Sequence, residues 1–213
     1  MEIDVARHLG AVTRSVAELE RDGGPVRAVT LERTYDTTAD DLWDAVTSPE
    51  RLPRWFLPVS GELRLGGRYQ LEGNAGGTIT GCEPPRFLAA TWEFGGQLSW
   101  IEVRIAPEGD DRSRLMLSHI APVDEHWSKY GPGATGVGWD LGLLGLALHV
   151  SDPDAEKVDE MAFMISPQGR QYVIGSAEDW GRAAIAAGED PTGAQTAARN
   201  TAAFYTGEAV QEG

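Results

Sequence analysis

Residues 34–56, TYDTTADDLWDAVTSPERLPRWF, are the stretch on which the fold turns. Thr34 and Tyr35 end an extended run that begins at Arg27 and carries Val29 and Leu31 on one face. Thr38 stands where a helix N-cap belongs. Asp41, three residues on, completes a variant of the capping box. A helix is therefore predicted with Leu42, Trp43 and Val46 as its apolar face. Ser48-Pro49 reads as a second N-cap with proline at the first helical position, opening a short helix that carries Leu52, Trp55 and Phe56.

Outward from this stretch, strands recur at about ten-residue spacing. They are predicted at 61–65, 68–73, 77–82, 87–94, 99–107 and 113–120, broken by Gly66-Gly67, Asn74 to Gly77, Pro84-Pro85, Gly95-Gly96 and Glu108 to Asp111. Loops this short favour an antiparallel meander, because parallel strands need a long crossover. Ile101, Val103 and Ile105 alternate with Glu102 and Arg104, the mark of a sheet with one wet face. A glycine-rich lead then opens a helix over 137–149. Trp139, Leu143, Leu146 and Val150 keep a helical period there, and Leu141, Leu144 and Leu148 widen the stripe. Asp152-Pro153, Ser166-Pro167 and Asp190-Pro191 each pair an N-cap residue with proline, predicting helices near 153–165, 167–187 and 191–205. At the other end, Val5, Leu9, Val12, Val16 and Leu19 are spaced 4, 3, 4, 3, which reads as an amphipathic helix stopped by Asp22-Gly23-Gly24-Pro25. The expected organisation is a lead helix over 1–25, a main domain over 26–150 and a helical extension over 151–213.

The 213 residues carry 33 acidic and 18 basic side chains, a net charge of −15. A phosphate backbone needs a basic footprint, so nucleic acid is not an expected partner. The longest apolar stretch, Val137 to Val150, contains Asp140 and His149 and is too short to span a bilayer, so no membrane insertion is expected. The single cysteine, Cys82, allows no intrachain disulfide. The N-terminus lacks a basic start followed by an apolar run, and a cytoplasmic protein is expected. The amphipathic lead and the apolar tail are both compatible with a homodimer.

One strand, two short helices, antiparallel strands and a long apolar helix resemble the helix-grip fold of the START-like (SRPBCC, Bet v 1-like) superfamily, an α+β class with a curved antiparallel sheet around a long helix. Within it, residues 34–56 resemble the opening of the family named for activator of heat-shock-protein-90 ATPase homologues. Ala39, Leu42, Trp43, Ala45, Val46, Thr47, Pro49, Leu52 and Trp55 fill its pattern. LRLGGRYQL (63–71), RLMLSHI (114–120) and GPGATGVGWDLGLLGLALHV (131–150) resemble its later strands, loop and closing helix. The lead and the tail look like extensions of an actinobacterial-type subgroup. The resemblance implies a cavity between sheet and helix suited to a small apolar or amphipathic ligand. Two alternatives stand beside this reading: a polyketide cyclase or hydrolase-type enzyme, and a co-chaperone-like or stress-response interaction module. The family's eukaryotic co-chaperones contact the chaperone through a separate N-terminal domain, whereas here 25 residues precede the main domain.

On that basis Trp55, Phe56, Tyr69, Trp92, Phe94, Trp100, His119, Trp127, Trp139 and Leu143 are the candidate cavity residues. Each large aromatic has core filling as its competing explanation. His119 shares a strand face with Leu115 and Leu117, where a histidine is most often a satisfied core residue; His8 and His149 read as surface positions. Glu93 alternates with Trp92 and Phe94, so it points away if they line a cavity. Arg68 and Arg104 are candidate grips for a ligand carboxylate, though both read more readily as surface residues. No zinc spacing, nucleophile elbow or phosphate loop appears, so no metal and no cofactor are expected.

Overall fold

The computed structural model describes residues 3–208. Its strands are β1 (Val12–Arg21), β2 (Gly24–Tyr35), β3 (Val59–Gly61), β4 (Arg68–Leu71), β5 (Gly76–Glu83), β6 (Phe87–Phe94), β7 (Gln97–Pro107) and β8 (Ser113–Pro122). Its helices are α1 (Val5–Gly10), α2 (Ala39–Thr47), α3 (Glu125–Tyr130), α4 (Gly133–Ser151), α5 (Glu160–Ile165), α6 (Pro167–Ala186) and α7 (Pro191–Thr206). The strands hydrogen-bond in the order β1-β2-β8-β7-β6-β5-β4-β3, an α+β helix-grip architecture.

The predicted lead helix is corrected. Only Val5–Gly10 is helical, and Val12, Val16 and Leu19 lie on β1. The Asp22-Gly23 pair is a two-residue hairpin turn with φ of 52° and 79°, both in the left-handed region that a type I′ turn requires. The β-branched Val12, Thr13 and Val16 suit the strand it closes. In the opening stretch, Thr38 does cap α2, accepting from the Asp41 backbone N–H at 3.3 Å. Ser48, by contrast, ends α2, and the expected second helix shrinks to one 3-10 turn, Leu52–Arg54. Asp152-Pro153 starts no helix; the first tail helix begins at Glu160, capped by Asp159. The caps at Ser166 and Asp190 hold.

The chain forms two compact units that do not follow the linear three-part division. One comprises the described residues up to Leu31, Pro122–Leu141, and those from Val158 on. Its core holds Tyr172 and Trp180 at full burial. Gly136 backs onto Trp180, where a Cβ would stand 2.1 Å from ring atom Cε2. Asp140, fully buried, accepts from Arg14 at 2.9 and 2.8 Å, from Ser176 Oγ at 2.5 Å and from Trp180 Nε1 at 2.9 Å. Arg14 also reaches Asp179 at 3.0 Å. Burial pushes the Asp140 carboxyl upward, and Arg14, Ser176 and Trp180 oppose the rise. Thr201 and Tyr205 of α7 donate to the carbonyls of Tyr130 and Ala134. Of the tail's large apolar groups, Phe163 is buried with Tyr172 and Trp180, whereas Ile165 and Phe204 are exposed.

The other unit comprises Glu32–Ala121 and Gly142–Lys157. It contains the end of β2, α2, β3 to β7, β8 up to Ala121 and the C-terminal half of α4, and it carries the face described next.

Candidate functional site

Register defines the face. Trp92 pairs with Ser99, Ala90 with Ile101 and Leu88 with Val103; Ile101 in turn pairs with His119 and Val103 with Leu117. Side chains of paired residues share a face, so Leu88, Ala90, Trp92, Ser99, Ile101, Val103, Leu117 and His119 lie together. Tyr69 pairs with Gly77 on β4 and β5, and Ile79 pairs with Ala90, which extends the same surface. Its dense part is the buried group Tyr69, Leu71, Ile79 and Ala90. Around that group pack Phe56, Leu57, Val59, Leu63, Leu88, Trp92 and Ile101, all only partly buried. An apolar rim left partly open beside a buried apolar floor is what a small hydrophobic molecule would cover.

Polar groups on this face are few. The His119 Nε2 and Ser99 Oγ atoms lie 2.9 Å apart, and Ser99 Oγ donates to the Trp92 carbonyl at 3.2 Å. Ser99 and His119 are thus direct hydrogen-bond partners, with the imidazole tautomer deciding which of them donates. Burial pushes the His119 imidazole down to about 4, so it is neutral at physiological pH. The Trp92 and His119 rings meet edge-on at 5.7 Å. The Tyr69 hydroxyl donates to the Thr91 carbonyl at 2.8 Å, and burial raises its pKa.

Charged residues of the neighbouring strands alternate to the opposite face. Glu93 takes 3.0 and 3.3 Å contacts from Arg68 and lies low in pKa, chiefly through that hydrogen bond. Arg104 pairs with Glu102, and Arg114 approaches Glu32. Arg68 and Arg104 therefore do not meet the apolar face, and Glu93 points away from Trp92.

The structure brings Phe56, Tyr69, Trp92 and His119 to one surface. Phe94 shares the Trp92 face but is 56% exposed at the strand end. Trp55 stacks on Phe56 at 5.4 Å and donates to the Ala45 carbonyl at 2.8 Å. Leu143 is core, its carbonyl 3.4 Å from the Tyr35 hydroxyl. Trp100 stands beside Ser99 in sequence and therefore on the opposite face from Trp92. Trp127 and Trp139 belong to the other compact unit, where Arg27 lies over the Trp127 ring at 5.5 Å. Sequence reading missed Ser99, Leu57, Val59 and Leu88. The alternation of Ile101, Val103 and Ile105 extends back to Ser99 and was the available signal. His149 is corrected from a surface position: it is 5% exposed and bonded to Arg51. Among the described residues no group of three metal-ligating side chains is placed to hold an ion, and no helix is long and apolar enough to cross a membrane.

Comparison with known proteins places this geometry. A family model described as Activator of Hsp90 ATPase homolog 1-like protein matches residues 36–149. The crystal structure of CalU16 from Micromonospora echinospora is 31% identical with a TM-score of 0.65, over 82% of this chain and 99% of CalU16. The solution structure of the same protein gives 30% and 0.70, over 83% and 97%. A conserved protein of unknown function from Enterococcus faecalis shares the fold at 19% identity, TM-score 0.59, over 84% of this chain and 95% of its own. A comparison with curated proteins finds no match.

Proposed function

This chain belongs to the Activator of Hsp90 ATPase homolog 1-like family, and we propose that it binds a small apolar or amphipathic molecule on the Trp92 face of its sheet. The observation that carries the proposal is the set of partly buried apolar side chains, Phe56, Leu57, Val59, Leu63, Leu88, Trp92 and Ile101, packed around a buried apolar floor. Apolar area of this kind gains roughly 25 cal/mol per Å² when covered. The His119–Ser99 pair supplies one oriented polar contact amid that surface.

Binding is favoured over catalysis by the chemistry of this pair. An imidazole pushed down to about 4 is a weak base at neutral pH. Ser99 gives its proton to a backbone carbonyl, and Glu93, the other acid-base candidate, is engaged by Arg68 on the far face.

Fluorescence titration with Nile red, an uncharged apolar dye, tests the proposal. Saturable binding is expected, weakened about tenfold, or 1.4 kcal/mol, in Trp92→Ala with circular dichroism unchanged. Equal affinity in wild type and in both Trp92→Ala and Leu88→Asp would refute this location.

A further inference from the structure

Arg51 immediately precedes the 3-10 turn that leads to Trp55 and Phe56. Its Nε donates to His149 Nε2 at 2.9 Å, and its Nη1 donates to Asp41 Oδ1 and Asp44 Oδ2, each at 3.0 Å. Asp41 is held in turn by Thr37 Oγ1 at 2.8 Å. A guanidinium can only donate, so His149 Nε2 must be the acceptor. The imidazole is therefore neutral, with its proton on Nδ1. Adding a proton at Nε2 would set N–H against N–H and place two positive charges in contact.

What the bond secures is the segment that follows. Gly142, Gly145 and His149 fall on one face of α4, at spacings of three and four. A Cβ at Gly145 would stand 2.7 Å from the Trp55 carbonyl oxygen, and one at Gly142 would be 3.9 Å from the Phe56 ring. Gly145 lets the Trp55 backbone lie directly on the helix, and Gly142 faces the Phe56 ring at ordinary contact distance. Arg51–His149 ties the near end of that segment, and Lys157 Nζ bonds the Phe56 carbonyl at the far end. Phe56 is itself part of the apolar rim.

We propose that the Arg51–His149 bond is a pH-operated latch, whose protonation at His149 frees the Trp55–Phe56 segment and weakens retention of the ligand in mildly acidic surroundings. This regulation rests on the binding reading above. The charged groups facing His149 are Arg51 and Arg54, which oppose its protonation, and Asp41, which favours it; Asp44 acts through Arg51. Burial and the two arginines hold the closed form's imidazole below the ordinary value of 6.5. A freed imidazole titrates near 6.5, so at pH 5.5 only about a tenth of it remains neutral. The closed, binding form is then disfavoured by up to about tenfold, and apparent affinity falls with its population.

Nile red titrations at pH 7.5 and 5.5 test the latch, since His119 does not titrate in that window. Wild type is expected to bind severalfold to tenfold more weakly at pH 5.5. His149→Gln, which keeps an acceptor but carries no titrating proton, is expected to bind equally at both values. Arg51→Gln should be weak at both, which guards against a folding defect in the first variant. Binding that is equal at both pH values in wild type overturns the latch. If Nile red does not bind at all, the binding reading fails separately, and the latch is then judged by the indole N–H resonance of Trp55, assigned with Trp55→Phe. A shift between pH 7.5 and 5.5 in wild type but not in His149→Gln supports it; an unmoved resonance overturns it.

Discussion

Asp140→Asn is the sharpest probe of how the helical unit is held. Asp140 is fully buried and accepts four hydrogen bonds, two of them from Arg14. The Arg14 side chain is only 5% exposed, so the substitution leaves a buried guanidinium facing an amide. Removing one partner of a buried ion pair costs about 3–5 kcal/mol. Asp179, at 3.0 Å and 23% exposed, retains part of the Arg14 charge, which places the expected loss near the lower bound, about 3 kcal/mol. Ser176→Ala removes one bond to a charged group and should cost about 1.5–3 kcal/mol. Adding Arg14→Met to Asp140→Asn should recover part of the loss, because no buried guanidinium is then stranded while the amide oxygen still accepts from Ser176 or Trp180. Urea unfolding followed by tryptophan fluorescence and circular dichroism, arranged as a double-mutant cycle, measures all three. A loss below about 1 kcal/mol for Asp140→Asn would show that the Arg14–Asp140 ion pair does not hold this unit. It would mean that burial has already protonated the native carboxyl and that Asp179 alone balances Arg14.

Further outcomes follow from single contacts. His119 has a folded pKa of about 4 against an ordinary 6.5, so its contribution is fully present above pH 6.5 and is lost as pH falls toward 4. Wild type should lose about 2 kcal/mol more than His119→Gln between pH 7 and pH 5, read as urea midpoints at each pH. Gly136→Ala drives a methyl into Trp180, which is itself fixed by Asp140; a loss of about 3 kcal/mol or more is expected, or roughly a 10 °C fall in Tm. Thr38→Ala removes the α2 cap and should cost about 1 kcal/mol, measured the same way.

Much of the main sheet was legible because its signals are local. The span 87–94 was read to the residue, and the alternation of Ile101, Val103 and Ile105 assigned the inner face of β7 before any pairing was known. Two other readings failed for identifiable reasons. The spacing of Val5 to Leu19 fits a helix, yet a strand closed by Asp22-Gly23 won, because pairing with β2 and β-branched residues outweigh periodicity. Ser48-Pro49 matches a helix start by composition, but Ser48 is spent ending α2. The candidate site divided along similar lines. Trp92 and His119 were reachable from strand parity. Trp100 fell on the other face because it sits between the inner residues Ser99 and Ile101. His149 looked like a surface residue because its partner, Arg51, is 98 positions away and sequence spacing carries no trace of the contact.

The Trp92 face is proposed to hold a small apolar molecule. The most direct measurement is a titration of isotopically labelled protein with Nile red, followed by backbone amide chemical shifts. The largest shifts are expected at Gly77, Ile79, Leu88, Ala90, Trp92, Ser99 and Ile101, with Phe56 and Val59 joining them. Saturable shifts confined to other residues, such as the α6–α7 groove lined by Ile174, Ile185 and Ala198, or no shifts at all, would contradict it.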